Sequence, residues 1–406
     1  MSKLQRLRDN IAAIREALSE QCPKDVNVLG KYSGFGGLGF VLNSLNPADW
    51  KKNDMVFYAD TVNLHSLLHQ ASGSEQVYER WMASLKASVL TAFYTPIEIP
   101  ETIFKCIFGN KQEFYAKGII PKTMLDPAAG MGVFGKMCQY IDTAYSGNVS
   151  VTYFENDILT ATLLKAMQGG KNSFVYCDGF EKFPSNELGL YDLVATNVPF
   201  GNISVYDAAY SKSDNAVRRE AAKMIHKYYV LKGLDCLRDG GIEAYIITSN
   251  YLNRDGEQLA EALRQARLIG AYRLANNLFK ENGTEVGTDL LVLQKDVRKQ
   301  GVTADESLLL MMYEDGGCPT NAYFECYPER VIATDKVVDT DAYGKPGFVY
   351  DHKDGVKGIA EDLSIVLAND MRKNCDVGLF NRNEKKGADS TDSHGSREKK
   401  KSEKPK

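Results

Sequence analysis

The chain has 406 residues, of which 44% are hydrophobic and 25% are charged, and its formal net charge is −4. This is the composition of an ordinary globular protein that can bury one large core or two smaller ones. No apolar run approaches the roughly 20 residues of a membrane-crossing helix, so we expect no membrane-spanning segment.

Cysteine and histidine usage argues against a metal centre. The eight cysteines form no CxxC pair, and only five histidines are present. Reduced thiols fit this pattern better than disulfides or zinc. Residues 1–6 lack the apolar core of a signal peptide. We therefore expect a cytoplasmic protein without a bound metal.

Charge is unevenly distributed along the chain. Residues 381–406 carry nine Lys or Arg and five Asp or Glu, a surplus of +4, so the remaining residues sum to −8. If the acidic body binds nucleic acid, it needs a local basic surface to do so.

The first predicted element is an amphipathic helix over residues 2–20, followed by a glycine-rich segment at residues 34–39. Bare N–H groups in such a segment can meet an anion, and a flexible turn is an equally good interpretation. We assign the segment no chemical role. Residues 40–90 are predicted to be mainly helical, which gives an N-terminal region over residues 1–88.

A helix start is predicted at Tyr94, Thr95 and Pro96, because proline fits the first helical turn. Free N–H groups and the Thr95 hydroxyl can receive a carboxylate there. A helix cap without a ligand is the alternative.

The strongest single signal is the loop at residues 126–132. An apolar strand ends at Asp126, and Pro127, Ala128, Gly130 and Gly132 follow before a new helix. Small residues let the backbone approach a ligand closely. The loop is neither GxGxxG nor a GK[ST] loop, so a nicotinamide or triphosphate site fits it poorly.

Two further acidic residues follow apolar runs. Glu155, with Asn156 beside it, is placed to accept both hydroxyls of a ribose. Asp178-Gly179-Phe180 ends a third predicted strand, where Asp178 can accept an adenine amino group and Phe180 can lie against the ring. Surface acids at strand ends are the alternative for both.

A rigid loop, Asn197-Val198-Pro199-Phe200-Gly201, follows the apolar run at residues 191–195. The Asn197 amide oxygen and the Val198 carbonyl can both accept hydrogen bonds from one NH2 group, and Phe200 offers a face for stacking. Such a loop suits a planar amine whose nitrogen attacks a methyl group. A strand-ending turn is the alternative.

The order of these motifs resembles the gamma group of amino-methyltransferases over about residues 90–295. The loop at Asn197 is similar to that of the adenine-N6 DNA methylase module of helicase-methylase proteins, including defence-against-restriction proteins, although Val198 stands where proline is commoner. The resemblance implies a class I, doubly wound α/β fold with a seven-stranded sheet. It also implies S-adenosylmethionine, with its methionine part at Tyr94, Thr95 and the loop at residues 126–132.

Downstream, residues 211–239 are predicted to form a helix with a basic face that can meet phosphates, or one that is merely solvated. Phe279 is a candidate for packing against the target base, and core packing is equally possible. We divide the rest into the methyltransferase core at 89–300, a small extension at 301–379 and a disordered basic tail at 380–406.

The expected reaction is methyl transfer to N6 of adenine in DNA, on a flipped-out or single-stranded base, with no metal. The alternatives are a methyltransferase for RNA or a protein glutamine, and a non-catalytic, cofactor-binding antirestriction module. The extension is short for a target-recognition domain. We therefore expect weak sequence preference, or a helicase or specificity partner.

Overall fold

The computed structural model describes residues 2–91, 94–109, 118–168, 170, 172–201, 203–254, 256–282, 286–340 and 346–382. All but the first three residues of the predicted tail lie outside these ranges. Of the three tail residues that are described, Phe380 is buried and its carbonyl accepts a hydrogen bond from Arg238 (2.9 Å). Order therefore extends past the predicted start of the tail.

The helices of the described residues are α1 (Lys3–Leu18), α2 (Val26–Leu29), α3 (Tyr58–Ser72), α4 (Glu75–Thr91), α5 (Glu98–Phe108), α6 (Val133–Asp142), α7 (Ile158–Gln168), α8 (Ala208–Ser211), α9 (Ala216–Ala221), α10 (Ile225–Cys236), α11 (Ser249–Arg254), α12 (Gly256–Gln265), α13 (Ala304–Leu309), α14 (Ala322–Cys326) and α15 (Gly355–Asn374). The predicted helix at residues 2–20 is confirmed as α1.

The strands are β1 (Thr123–Asp126), β2 (Ser150–Phe154), β3 (Ser173–Tyr176), β4 (Tyr191–Asn197), β5 (Leu237–Thr248), β6 (Ala266–Leu274), β7 (Thr288–Lys295), β8 (Met312–Asp315), β9 (Cys318–Asn321), β10 (Val331–Ile332), β11 (Asp335–Thr340) and β12 (Pro346–Asp351). β8 pairs with β9 and β11 with β12 in two small antiparallel hairpins.

One large sheet organises the molecule, with the strand order β10-β6-β7-β5-β4-β1-β2-β3. Strands β1 to β5 run parallel, whereas β7 is inserted antiparallel between β5 and β6. The seven strands expected for the fold are present, and the short β10 adds an eighth at the β6 edge. The order reverses between β1 and β4, and in open α/β sheets ligands bind at such a switch point.

Both faces of the sheet are covered, because successive side chains of a strand point to opposite sides. In β1, Met124 joins the apolar cluster that includes α5, α6 and α15, while Leu125 joins the cluster that includes α10 and α12. Burial on both faces explains why these strands read as continuous apolar runs.

A separate apolar cluster joins the N-terminal helices to the core. Leu7 and Ile11 of α1, with Leu85 of α4, pack in it with Leu159 and Leu163 of α7. At the other end of the chain, α15 lies against α5 and β6 and contributes to the main core. The division at residues 88, 300 and 379 stays a prediction.

The prediction of one basic helix over residues 211–239 is wrong. The segment forms α8, α9 and α10, and several of its cations are used inside the protein. Arg218 binds Asp235 through two hydrogen bonds (2.6 and 2.8 Å), and the buried Lys232 pairs with Asp207 (3.1 Å). Burial also lowers the pKa of His226 to about 4. Arg218 and Lys232 fasten α10 to its neighbours and are not free to meet phosphates, and His226 is buried.

No helix among the described residues is long and apolar enough to span a membrane.

Candidate active site

A cavity of about 750 Å³ opens at the carboxyl edge of the sheet, over the ends of β1, β2 and β4. The loops that follow these strands form its floor, and α4 and the segment before α5 form one wall. Because parallel strands bring their carboxyl ends to one edge, motifs far apart in sequence meet here.

The loop after β1 is held by the acid after β2. The Gly130 N–H donates to Glu155 Oε2 (2.7 Å), and the Asp157 N–H donates to Glu155 Oε1 (2.7 Å). Burial, and secondly the charge of Asp157, raise the pKa of Glu155 to about 8. The carboxyl of Glu155 therefore changes charge near neutral pH.

Asp126 lies beneath the cavity, not on its wall. Its side chain is fully buried, and Oδ1 accepts a hydrogen bond from the Thr196 hydroxyl (2.7 Å). Burial raises the pKa of Asp126 to about 7, although the bond from Thr196 opposes the rise. The same Thr196 hydroxyl lies 3.2 Å from the Ala128 carbonyl. Asp126 thus ties the end of β4 to the loop that it precedes, and acts as a positioning residue.

Two buried hydroxyls face the cavity without a hydrogen-bond partner among the described residues. They belong to Thr95, at the start of the α5 region, and to Ser88 on α4. An unpaired buried hydroxyl is costly, so each of these groups favours a polar ligand within the cavity.

α4 is connected to the loop after β2 through Ser84. Its hydroxyl donates to Asp157 Oδ1 (2.8 Å) and accepts from the Ile158 N–H (2.9 Å). This contact brings Arg80, Ser84 and Ser88, which share one helical face, to the cavity.

Asn197 ends β4 and stands on the cavity wall with Val198 and Phe200. The Val198 N–H donates to the Ile246 carbonyl of β5 (2.9 Å), which extends the sheet by one residue into the loop. The Val198 side chain is buried in the core, which gives a packing reason for an apolar residue at this position.

Phe200 is supported from behind by Phe279. The two rings meet edge to face, with centroids 5.4 Å apart and an interplanar angle of 78°. Phe279 is fully buried and packs in the main core. Of the two roles considered for Phe279, core packing is therefore the one that the structure has.

The segment after the loop at residues 197–201 forms the mouth of the cavity. Residues 203–205 are fastened to the α9–α10 connection, because the Val205 N–H donates to the Ala222 carbonyl (2.8 Å) and the Ile225 N–H donates to the Ile203 carbonyl (2.9 Å). Tyr206, next in the chain, lines the cavity and is 76% exposed. A fixed backbone thus presents an exposed aromatic ring at the entrance.

Most of the predicted site residues meet at this cavity. Those on its wall are Tyr94, Thr95, Pro127, Ala128, Gly130, Glu155, Asn156, Gly179, Asn197, Val198, Pro199 and Phe200.

Five predicted residues lie elsewhere. Phe180 is fully buried and packs edge to face against Phe183, Tyr228 and Tyr229, so its ring belongs to the core. Asp178 is exposed and Pro96 is half-buried, and both are outside the lining. Gly132 packs against Leu164 and Tyr153, where a Cβ would lie 2.6 and 3.2 Å from them. Asp126, as described above, lies beneath the wall.

Sequence reasoning missed part of the wall, including Arg80, Ser84, Ser88, Asp157, Lys182, Ile203 and Tyr206. The four-residue spacing of Arg80, Ser84 and Ser88 is a signal that marks a polar stripe on a helix. Nothing in the local sequence indicates that Tyr206 is exposed.

Charges on the wall are mixed. Glu155, Asp157 and Glu181 are acidic, and Arg80 and Lys182 are basic and exposed. No group of three or more His, Cys, Asp or Glu residues in the described ranges is arranged to hold a metal ion.

The strand order, with an antiparallel β7 inserted beside β5, and the cavity at the switch point define a class I methyltransferase fold. A model of the N-6 DNA Methylase family matches residues 74–314. The chain belongs to this family.

Two curated relatives match part of the chain. Defense against restriction protein B of Escherichia phage P1 is 25% identical over 218 residues, which are 51% of this chain and 8% of that protein. Type II methyltransferase M.AccI of Acinetobacter calcoaceticus is 25% identical over 199 residues, 46% of this chain and 33% of that enzyme. The chain thus spans a third or less of each relative's length.

Solved structures with a similar fold include a class I S-adenosylmethionine-dependent methyltransferase of Listeria monocytogenes (13% identity, 74% of this chain and 91% of that chain, TM-score 0.44). Another is the methyltransferase subunit of a type I restriction-modification system from Streptococcus thermophilus (14% identity, 91% and 80%, TM-score 0.43).

Proposed function

We propose that this chain transfers a methyl group from S-adenosylmethionine to the N6 amino group of adenine in DNA. The observation that carries the proposal is the meeting of two sets of residues in one cavity. Asn197 and Phe200 suit a planar amine, and Glu155 with the Gly130 loop suits a ribose and its substituents.

The residues at the cofactor end fit S-adenosylmethionine. Glu155 would accept the ribose hydroxyls, and the backbone of the Gly130 loop would lie against the ligand. The buried hydroxyls of Thr95 and Ser88 would donate to its carboxylate. S-adenosylmethionine supplies a methyl group bonded to a positively charged sulfur. Asp157 and Glu181, together with Glu155 once ribose binding has displaced its proton, would place negative charge on the same wall.

The residues at the other end fit the amine. Asn197 Oδ1 and the Val198 carbonyl would each accept one N–H of the amino group, which fixes the nitrogen and raises its electron density. Phe200, supported by Phe279, would stack on the base and hold its plane. Transfer then depends on alignment and on excluding water, and needs no covalent intermediate with the protein.

The cavity favours a base that is not paired. An adenine inside a duplex cannot bring its amino group to a recessed loop, so the base must be flipped out or single-stranded. Tyr206 and Ile203, which are 76% and 38% exposed, stand at the mouth where a neighbouring base can stack. Arg80 and Lys182 would attract the phosphates nearby.

Target selection is proposed to depend on a partner or to be weak. The described residues after β7 form α13, α14, α15, the short β10 and two small hairpins, and α15 is used in the core. A helicase or specificity subunit would supply the sequence preference. Cytoplasmic location stays a prediction.

The test is transfer of label from S-adenosylmethionine to methylation-free plasmid DNA, single-stranded DNA, RNA and a protein extract. Wild-type protein should label DNA, and Asn197→Ala should not. Asn148→Ala, at an exposed position before β2, is the matched control and should behave as wild type. Label in RNA or protein alone would refute the substrate, and full activity of Asn197→Ala would refute the site.

A further inference from the structure

The glycine-rich segment at residues 34–39 lies outside residues 74–314, which the family match covers. It is nevertheless built into the wall of the cavity through one side chain, Tyr94. The inference drawn from this contact rests on the proposed function, because it concerns the same cofactor site.

The Tyr94 ring is held between two glycines. A Cβ on Gly34 would lie 2.8 Å from Tyr94 Cε2, and a Cβ on Gly130 would lie 2.7 Å from Tyr94 Cε1. These two ring carbons are on opposite edges of the ring. Both glycines have a left-handed backbone, with φ of +70° and +53°. The ring therefore fills the whole gap between the N-terminal segment and the loop after β1.

Side chains of α1 hold the Gly34 side of this gap. Asn10 Nδ2 donates to the Gly34 carbonyl (2.7 Å), and Asn10 Oδ1 accepts from the Ser33 N–H (2.9 Å). Arg6 donates to the Gly36 carbonyl (3.2 Å). Asn10 and Arg6 are 0% and 6% exposed. Hydrogen bonds at such positions face little competition from water, so the segment has one fixed position.

The hydroxyl of Tyr94 is fixed as well. It lies 3.2 Å from Thr160 Oγ1, which also meets the hydroxyl of Tyr32 (3.3 Å). Thr160 in turn donates to Asp157 Oδ2 (3.0 Å), and the Asp157 N–H donates to Glu155. One network therefore joins the N-terminal segment to the acid that grips the Gly130 loop.

We propose that α1 and the glycine-rich segment form the outer support of the cofactor site, and that Gly34 is a positioning residue for S-adenosylmethionine. Gly34 acts through Tyr94: only a residue without a Cβ lets the ring stay against Gly130. A side chain at position 34 displaces the ring toward Gly130 and deforms the loop that Glu155 holds.

The chain contains a matched control for this effect. Gly37 has the same left-handed backbone, with φ of +71°, but a Cβ there would meet nothing within 4 Å. Gly34→Ala and Gly37→Ala therefore carry similar backbone strain, and only Gly34→Ala presses on Tyr94. The difference between the two variants measures the contact with the ring.

The experiment is calorimetric titration of S-adenosylhomocysteine into wild type, Gly34→Ala, Gly37→Ala, Tyr94→Ala and the double variant Gly34→Ala/Tyr94→Ala. Gly34→Ala should raise Kd roughly tenfold relative to Gly37→Ala. In the Tyr94→Ala background the change at Gly34 should have little further effect, because the ring it displaces is gone. In a transfer assay Gly34→Ala should raise KM for S-adenosylmethionine with kcat nearly unchanged.

Equal Kd values for Gly34→Ala and Gly37→Ala would overturn the inference, and so would an undiminished effect in the Tyr94→Ala background. If Gly34→Ala does not fold, Asn10→Leu removes the bonds to Ser33 and Gly34 at similar volume. Asn10→Leu should raise the Kd of S-adenosylhomocysteine without altering the amine site at Asn197. An unchanged Kd in a folded Asn10→Leu protein would overturn the inference. Absence of binding by wild type would instead refute the proposed function.

Discussion

Replacing Glu155 with glutamine tests the ribose site, because it changes the number of protons that are released when a ribose ligand binds. Burial, with the charge of Asp157, raises the pKa of Glu155 to about 8. Hydroxyl groups that donate to this carboxyl favour its ionised form, so a ligand with a ribose should displace the proton. At pH 7 a group with this pKa is mostly protonated, so binding should release roughly 0.9 proton.

The same pKa sets the pH dependence of affinity. Below pH 8 each unit of pH should change the affinity of the ribose ligand roughly tenfold, with tighter binding at higher pH, and above pH 9 the dependence should disappear. Glu155→Gln cannot ionise, so its affinity should be lower and independent of pH across this range.

The assay is titration with 5′-methylthioadenosine, which has the ribose and adenine but no titrating amino acid part. Pairs of buffers with the same pH and different ionisation enthalpies give the number of protons released. Equal release by wild type and Glu155→Gln, or none by wild type, would refute the assignment of Glu155 as the ribose ligand.

Stability of the ligand-free protein provides an independent control. The ordinary pKa of a glutamate is 4.5 and the folded value is about 8, so between these values the folded protein binds more protons than the unfolded chain. The contribution of protonated Glu155 to the free energy of unfolding is complete below pH 4.5 and is lost as pH rises through 8. Chemical denaturation at several pH values should show a smaller loss for Glu155→Gln.

Three further substitutions test the amine site, the exposed ring of Tyr206 and a buried ion pair. Asn197→Ala should lower methyl transfer by roughly a thousandfold while S-adenosylhomocysteine affinity hardly changes, and a large loss of affinity would contradict its role at the amine. Tyr206→Ala should raise KM for single-stranded DNA roughly tenfold, whereas Tyr140→Ala, also exposed, should leave it unchanged; equal effects would remove the stacking role. Arg273→Met leaves Asp289, its partner at 2.9 Å, buried and unpaired, so urea denaturation should show a loss of about 3–5 kcal/mol. The double variant Arg273→Met/Asp289→Leu should recover most of that loss. An Arg273→Met protein as stable as the double variant would contradict the penalty assigned to the unpaired Asp289.

The strand-end motifs could be predicted because their position follows from local sequence. An apolar run that stops at Asp126, Glu155 or Asn197 marks the end of a buried strand, and parallel strands bring those ends together. The sequence could not show which of these strand-end residues line the cavity and which lie beneath it. Asp126 is fully buried below the loop, where its Oδ1 accepts a hydrogen bond from Thr196, 70 residues further along the chain.

Contacts between distant segments could not be read from the sequence. α4 reaches the cavity because Ser84 bonds to Asp157, and this pairing leaves no local mark. Phe180 follows a strand end as a stacking residue would, yet tertiary packing turns its ring to the core. The cations of residues 211–239 resemble a surface stripe, but Arg218 finds its partner only when α9 packs beside α10.

The proposed function requires that N6 of adenine receives the methyl group. The most direct measurement is mass spectrometry of nucleosides from single-stranded and plasmid DNA after incubation with the protein and isotopically labelled S-adenosylmethionine. We expect label in N6-methyladenine, abolished by Asn197→Ala. Label in another nucleoside, or no label in DNA from a protein that binds S-adenosylmethionine, would contradict the proposed function.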